Sequence, residues 1–231
     1  MSYMRDIPVN NREILRHLNK YKDILVRDKE AFEKNFHLSC QEQKDQKDWW
    51  TGEEHKNEIV NQRTRHEGFP DVVYGYEMSV GRKGHEFFSQ DCHPNDRLAL
   101  TNELSFANEQ IMTWLGVRNN ALTAYYPPNG FISWHNNANA AAYNLIFTWS
   151  EEGNGSFSYV DPETKKIVNM PDKAGWQCKA AYFGHYGEEE RLFYHAARTE
   201  GWRITVSFTF DVSKLSEELR EDVLEEISAE V

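Results

Sequence analysis

The apolar positions of this 231-residue chain change their period part-way along. Near the N-terminus Ile14, Leu15, Leu18, Tyr21, Ile24, Leu25 and Phe32 recur at three- and four-residue steps. That spacing predicts one amphipathic helix from Asn11 to about Phe36, capped by Asn10 or Asn11. Gln41 to His66 is polar and mixed in charge, broken only by Trp49 and Trp50, and reads as a loop with a short helix near Glu53–Gln62. Val72–Val80 reads as a strand ended by the turn Gly81-Arg82-Lys83-Gly84. His85, Cys92 and His93 follow as loop residues, because no partner spacing supports a metal there. A second helix is predicted from about Asp96 to Leu115, with Gly116 as its stop.

From Ala121 to Phe210 the pattern becomes a series of short strand-like runs: Leu122–Tyr126, Phe131–His135, Tyr143–Trp149, Ser156–Val160, Lys166–Asn169, Gln177–Phe183, Leu192–His195 and Arg203–Phe210. Pro127-Pro128-Asn129-Gly130, Glu152-Gly153-Asn154-Gly155, Asp161-Pro162, Asp172 to Gly175 and Gly184 to Glu190 punctuate them. Eight strands at such spacing predict a mainly β sandwich or jelly roll with flanking helices. Arg203–Phe210 alternates cleanly, so one of its faces is expected to be buried. The tail from Ser213 carries Leu215, Leu219, Val223 and Ile227 at four-residue steps and reads as a helix started at Ser216, Glu217 and Glu218. Its apolar stripe has two candidate partners, the β core or a second subunit in a homodimer.

Composition adds bounds. Aromatics make up 13% of the residues, enough large apolar surface for a proper core. The formal net charge of -11 disfavours binding to extended nucleic acid, although a local basic groove stays compatible with it. Cys40, Cys92 and Cys178 are far apart and form no CxxC pair, which argues against a zinc ribbon and for reduced thiols. No apolar h-region and no run of about 20 apolar residues occurs, so a cytoplasmic protein without a membrane span is expected.

Chemistry concentrates in the eight-strand block. His135 ends its second strand, His195 its seventh; Tyr126 closes the first and Arg203 opens the eighth. In a jelly roll the second and seventh strands lie side by side near the open end, where two imidazoles can share one metal. A divalent iron site commonly takes two His and one carboxylate. A nearby buried Arg can pair bidentately with a dicarboxylate.

The order Tyr126, His135, Gly155-Ser-Phe-Ser-Tyr159, His195, Arg203 resembles the 2-oxoglutarate/Fe(II) dioxygenases, most closely the prolyl-4-hydroxylase-like branch. Phe131-Ile-Ser-Trp-His-Asn-Asn-Ala-Asn139 also resembles oxygenase-like proteins of marine bacterial viruses, which would place the chain in a host cytoplasm. The resemblance covers about residues 120–211. It implies a double-stranded β-helix (jelly roll, cupin-like) with Fe(II) as metal and 2-oxoglutarate as cosubstrate. It implies His135 and His195 as metal ligands, Arg203 as the clamp on the far carboxylate of 2-oxoglutarate, and Tyr126 as a hydrogen-bonding partner of that carboxylate. Arg198 is a weaker substitute for Arg203. The implied division is an extension over residues 1–95, an oxygenase core with its leading helix over 96–211, and a C-terminal helix over 212–231.

One position departs from the family. Its His-any-Asp motif would put Asp at 137, where this chain has Asn137. An amide oxygen can ligate Fe(II) as the third ligand, but it is neutral and leaves the site more positive. Halogenase members also lack the carboxylate, yet they carry Ala or Gly there. Plainer assignments exist for each residue: strand-end histidines, an Arg203 on the surface facing the Glu188–Glu190 run, and a polar turn at Asn136, Asn137 and Asn139. The expected reaction is 2-oxoglutarate-coupled hydroxylation of a small molecule or a protein side chain, with Trp49, Trp50, Trp134 and Tyr143 as candidate pocket liners. The rival from another class is a degenerate β-barrel binding module or viral structural protein.

Overall fold

The computed structural model describes residues 3–78, 87–117, 119–210 and 214–230, with side chains from residue 217 onward in the last segment. The expected strand end at Ser79 and Val80, the Gly81–Gly84 turn, His85, Ser213, and the side chains of Leu215 and Ser216 lie outside them. Strand β1 (Arg5–Ile7) leads into helices α1 (Arg12–Val26) and α2 (Lys29–Asn35). Short helices α3 (Lys47–Trp50) and α4 (Glu53–Gln62) follow, then strands β2 (Val73–Tyr74) and β3 (Tyr76–Glu77) and the long helix α5 (Pro94–Leu115). The β region comprises β4 (Asn119–Tyr126), β5 (Phe131–His135), β6 (Ala142–Ser150), β7 (Gly155–Val160), β8 (Ile167–Pro171), β9 (Gly175–Phe183), β10 (His195–Thr199) and β11 (Arg203–Phe210). Helix α6 (Lys214–Ser228) ends the chain.

The strands form two antiparallel sheets, one ordered β1-β9-β6-β11-β4-β3 and the other β2-β5-β10-β7-β8. The expected neighbourhood of the second and seventh core strands is realised as the β5–β10 pair.

The central strands of the larger sheet, β6, β9 and β11, bury both faces over most of their length. Leu145 and Phe147 of β6, Cys178 and Ala180 of β9, and Ile204, Val206 and Phe208 of β11 pack with the apolar faces of α1, α5 and α6. The alternate residues Asn144, Ile146, Thr205 and Ser207 line a cavity that side chains of the smaller sheet also border. The clean alternation of β11 therefore divides a helix-facing apolar side from a cavity-facing polar side; neither side faces bulk water.

The helices are fixed by local chemistry. The Asn11 side chain caps α1 by accepting from the backbone N–H of Glu13 and of Ile14, and Ile14, Leu18, Tyr21 and Leu25 form its buried stripe. The single helix expected to Phe36 is two helices, because Asp28 adopts an extended backbone and caps a new start through the Ala31 N–H. Gly116 ends α5 in the left-handed conformation, as its position suggested. α6 packs on β1 and β11, and its Ile227 carbonyl accepts from the N–H groups of Asn10 and Asn11. Leu219, expected on its apolar stripe, is exposed, while Val223, Leu224 and Ile227 are buried. Two further expectations are corrected. Val72–Val80 is split into β2 and β3, which belong to different sheets. The seventh core strand runs from His195 to Thr199, so His195 opens it and does not end it.

Candidate functional site

His135 and His195 are register partners on β5 and β10. Their ring centroids lie 4.1 Å apart with planes at 50°, and both rings border the cavity between the sheets. The Nδ1 of His135 lies 2.8 Å from the Ser133 carbonyl, and the Nδ1 of His195 lies 3.0 Å from the Phe193 carbonyl. A carbonyl only accepts, so each Nδ1 carries the hydrogen and each neutral ring keeps its lone pair on Nε2. Burial holds both imidazoles neutral: His135 titrates well below the usual range through desolvation and then through its neighbour His195, and desolvation lowers His195 to about 4. Phe157 and Phe183 flank the His195 ring at centroid distances of 5.4 and 4.7 Å. Two adjacent imidazoles with fixed tautomers are able to offer two Nε2 lone pairs to one divalent metal ion.

Asn137 lies just past β5 at a φ of 51°, a conformation Asn tolerates better than most residues. Its N–H donates to the Gly68 carbonyl and its own carbonyl accepts from Ala140, so its backbone forms a turn. The residue also borders the cavity beside the two histidines. Asn136, next to it, is buried and accepts from the Ala138 N–H. Among the described residues no group of three His, Cys, Asp or Glu side chains is gathered to hold a metal.

The cavity has a volume of about 1000 Å³. Tyr126 and Arg203 border it from the larger sheet, with the guanidinium 5.8 Å from the Tyr126 ring centroid. Burial pushes the Tyr126 phenol up, so it stays protonated. Arg203 is buried and not a surface residue: its Nε donates to Asp172 Oδ2 at 2.7 Å, Nη1 to Thr205 Oγ1 at 2.6 Å and Nη2 to Thr148 Oγ1 at 3.4 Å. A guanidinium has five N–H donors, so two remain for a ligand. Arg198 is half-exposed and pairs with Asp48 and Glu200, which removes it as a substitute for Arg203.

The aromatic residues expected to line the pocket do not border this cavity. Trp49 is exposed, Trp50 packs with Val72, Tyr74 and Phe131, Trp134 packs with Ile59 of α4, and Tyr143 lies on the helix-facing side under Arg220. The observed walls are Phe69, Pro70, Val73, Ile132, Ile146 and Phe157. Sequence reasoning missed Asp172 and Lys179, which stand behind Arg203, and Gly68, which holds the Asn137 turn. A signal for Lys179 existed: Gln177 and Lys179 alternate with the apolar Cys178 and Ala180 in a strand buried on both faces.

Among the described residues no helix is long and apolar enough to cross a membrane. No family model matches the chain, and no curated protein does. Among solved structures the chain is similar to a Pseudomonas putida prolyl-4-hydroxylase at 14% identity and a TM-score of 0.43, over 90% of this chain and 93% of that one. It is similar to an oxidoreductase of the 2OG-Fe(II) oxygenase family from Burkholderia pseudomallei at 13% identity and a TM-score of 0.32, over 68% and 79% of the two chains. A dioxygenase for auxin oxidation in rice is similar over 54% of this chain and 50% of its own, at 14% identity and a TM-score of 0.28.

Proposed function

We propose that this protein is an Fe(II)- and 2-oxoglutarate-dependent oxygenase built on a double-stranded β-helix, and that it hydroxylates a small molecule or a protein side chain. The observation that carries the reading is the His135–His195 pair, neutral, tautomer-fixed and set in the same cavity as the buried Arg203. The strand order, with β9, β6, β11 and β4 in one sheet and β5, β10, β7 and β8 in the other, supports the jelly roll.

The donor set fits a divalent first-row metal. His135 and His195 would bind through Nε2, and Asn137 would offer an amide oxygen, giving a site one negative charge poorer than two His and a carboxylate. When bound, Fe(II) with 2-oxoglutarate supplies the oxidising chemistry that side chains lack. The chain's own residues do the rest. The Ser133 and Phe193 carbonyls hold the imidazoles in one tautomer, so no proton has to leave a ring before it can bind metal. Arg203 holds the distal carboxylate of the cosubstrate with its two spare N–H groups. Tyr126, protonated at neutral pH, has a hydroxyl to donate to the same carboxylate. The apolar wall of Ile132, Ile146, Phe157 and Phe183 excludes water from the histidine end of the cavity.

The test is anaerobic loading with Fe(II), followed by air and 2-oxoglutarate, with succinate as the readout. Wild type is expected to bind iron and to form succinate, and the His135→Ala/His195→Ala variant is expected to do neither. Failure of wild type to bind iron and to release succinate across candidate substrates overturns the reading.

A further inference from the structure

The cavity between the sheets runs from a buried end at Arg203 and Tyr126 to an exposed rim at Asn119 and Asn139. The register of β4, β11 and β6 lays out its floor. Side chains on one face of a strand recur every second residue, about 6.8 Å apart, so Arg203, Thr205, Ser207 and Thr209 form a row about 20 Å long between the two ends. Thr209 stands at the rim end, paired with Asn119 on one side and Asn144 on the other. One step inward, Ser207 stands between Leu122 and Ile146. Asn137 and Asn139 border the cavity from the turn after β5. Among the described residues the charged side chains on the lining are Glu77 and Arg203, and both lie deeper. Glu77 is opposite Ala124, level with Thr205, and Arg203 is one step beyond. Ser207 Oγ donates to Asn144 Oδ1 at 3.4 Å, and Asn144 Nδ2 donates to the Ala142 carbonyl at 3.1 Å. The side chains of Asn119, Asn139 and Thr209 make no hydrogen bond to another described residue, so their polar groups are available to a ligand.

A carboxamide both donates and accepts, and so does a hydroxyl. The outer half of the cavity therefore answers adjacent hydroxyl groups on a ligand, but it offers an ionised group no counter-charge for the water it loses. The facing wall is apolar: Phe69 and Pro70 follow Gly68, whose carbonyl holds the Asn137 turn, and Phe69 is 48% exposed. A saccharide ring has this same division, with hydroxyls around its edge and C–H groups on its faces. We propose that the substrate of this cavity is an uncharged ring of the saccharide class, with its hydroxyls on Thr209, Asn119 and Asn144 and one apolar face against Phe69. The inference rests on the oxygenase reading only in calling that ligand a substrate.

The test titrates N-acetylglucosamine, glucosamine and glucuronate, which share a ring and differ in charge, into the protein without added metal, followed by saturation-transfer NMR. In wild type N-acetylglucosamine is expected to bind about tenfold or more tightly than either charged sugar. Thr209→Val removes one hydroxyl at nearly constant shape and is expected to weaken N-acetylglucosamine about threefold or more. Asn119→Asp, an exchange of similar shape at the exposed rim, is expected to move the preference toward glucosamine, which a loss of packing alone would not do. N-Acetylglutamine amide, uncharged but without a sugar ring, separates neutrality from ring shape. Absence of binding by all three sugars, or charged sugars that bind as tightly as the neutral one, overturns the inference. Tighter binding of the acyclic amide than of N-acetylglucosamine overturns the saccharide class. Because the titration needs no metal, a protein that takes up iron and forms succinate but binds no sugar loses this inference and keeps the oxygenase reading. Sugar binding without iron uptake or succinate does the reverse.

Discussion

The N–H of Asn137 donates to the carbonyl of Gly68 at 2.8 Å, so a glycine from the loop after α4 holds the residue beside the two histidines. Gly68 has a φ of +88°, where a side chain is strained. A Cβ there would meet Asn139 Oδ1 at 2.8 Å and the Ala138 nitrogen at 3.1 Å. His66 closes the arrangement by accepting the Gly68 N–H on its Nδ1 at 3.1 Å. Gly68→Ala is expected to lower stability by about 1–3 kcal/mol and to displace the Asn137 turn. Urea denaturation measures the first effect and Co(II) titration the second. A variant with wild-type stability would show that the loop relaxes freely.

Asn137 itself is tested by three metal titrations. Asn137→Asp adds the missing negative charge in a residue that also tolerates the left-handed backbone, and is expected to tighten metal binding. Asn137→Ala removes the amide and is expected to weaken it, with some loss of stability from the φ of 51°. Equal affinities in wild type and both variants would take the side chain out of the site and leave a two-histidine centre.

Much of the placement of the candidate site residues is legible because they fall at strand ends bounded by strong turn signals. Phe131–His135 and Arg203–Phe210 occur with the boundaries their patterns suggest. The β10 start was misplaced because Leu192, Phe193 and Tyr194 look like a strand but are buried by packing in clusters beside it. The true strand, His195 to Thr199, contains Ala196 and Ala197 and lacks the bulky pattern of a strand. Asp172 read as turn punctuation, since an acid beside Lys173, Ala174 and Gly175 gives no local sign of a partner 31 positions away. The pocket liners were misassigned because large aromatics signal burial without saying on which side of a sheet. Trp134 and Tyr143 are well buried, but against helices.

The histidine pair predicts an acid-sensitive fold. Both rings titrate below their unfolded value, His195 at about 4, because burial disfavours the charged form. As pH falls below the unfolded value of about 6.5, the unfolded chain gains protons that the native rings refuse, so stability declines until the native rings also protonate. For His195 the full effect is about 3 kcal/mol, spread between roughly pH 6.5 and 4. Denaturation at pH 7 and pH 5 is expected to show a loss in wild type that shrinks in a His135→Gln/His195→Gln variant. A slope unaffected by these substitutions would assign the acid sensitivity to other groups.

The buried charge group predicts an asymmetry between two substitutions at one salt bridge. Asp172→Ala leaves the buried Arg203 guanidinium without its carboxylate, beside Lys179, and is expected to cost about 3–5 kcal/mol. Arg203→Met leaves Asp172 with Lys179, a neutral pair within 3.6 Å, and fills part of the vacated volume with an apolar chain. Its cost is expected to be the smaller of the two, although it removes the proposed anion site. Added 2-oxoglutarate or glutarate should recover part of the stability of Asp172→Ala, because a bound carboxylate replaces the lost charge, and should do nothing for Arg203→Met. Urea denaturation at neutral pH, with and without the dicarboxylate, reads all four values. Equal costs for the two substitutions, with no recovery by the anion, would mean that Lys179 is uncharged in the folded protein and that Asp172 answers Arg203 alone.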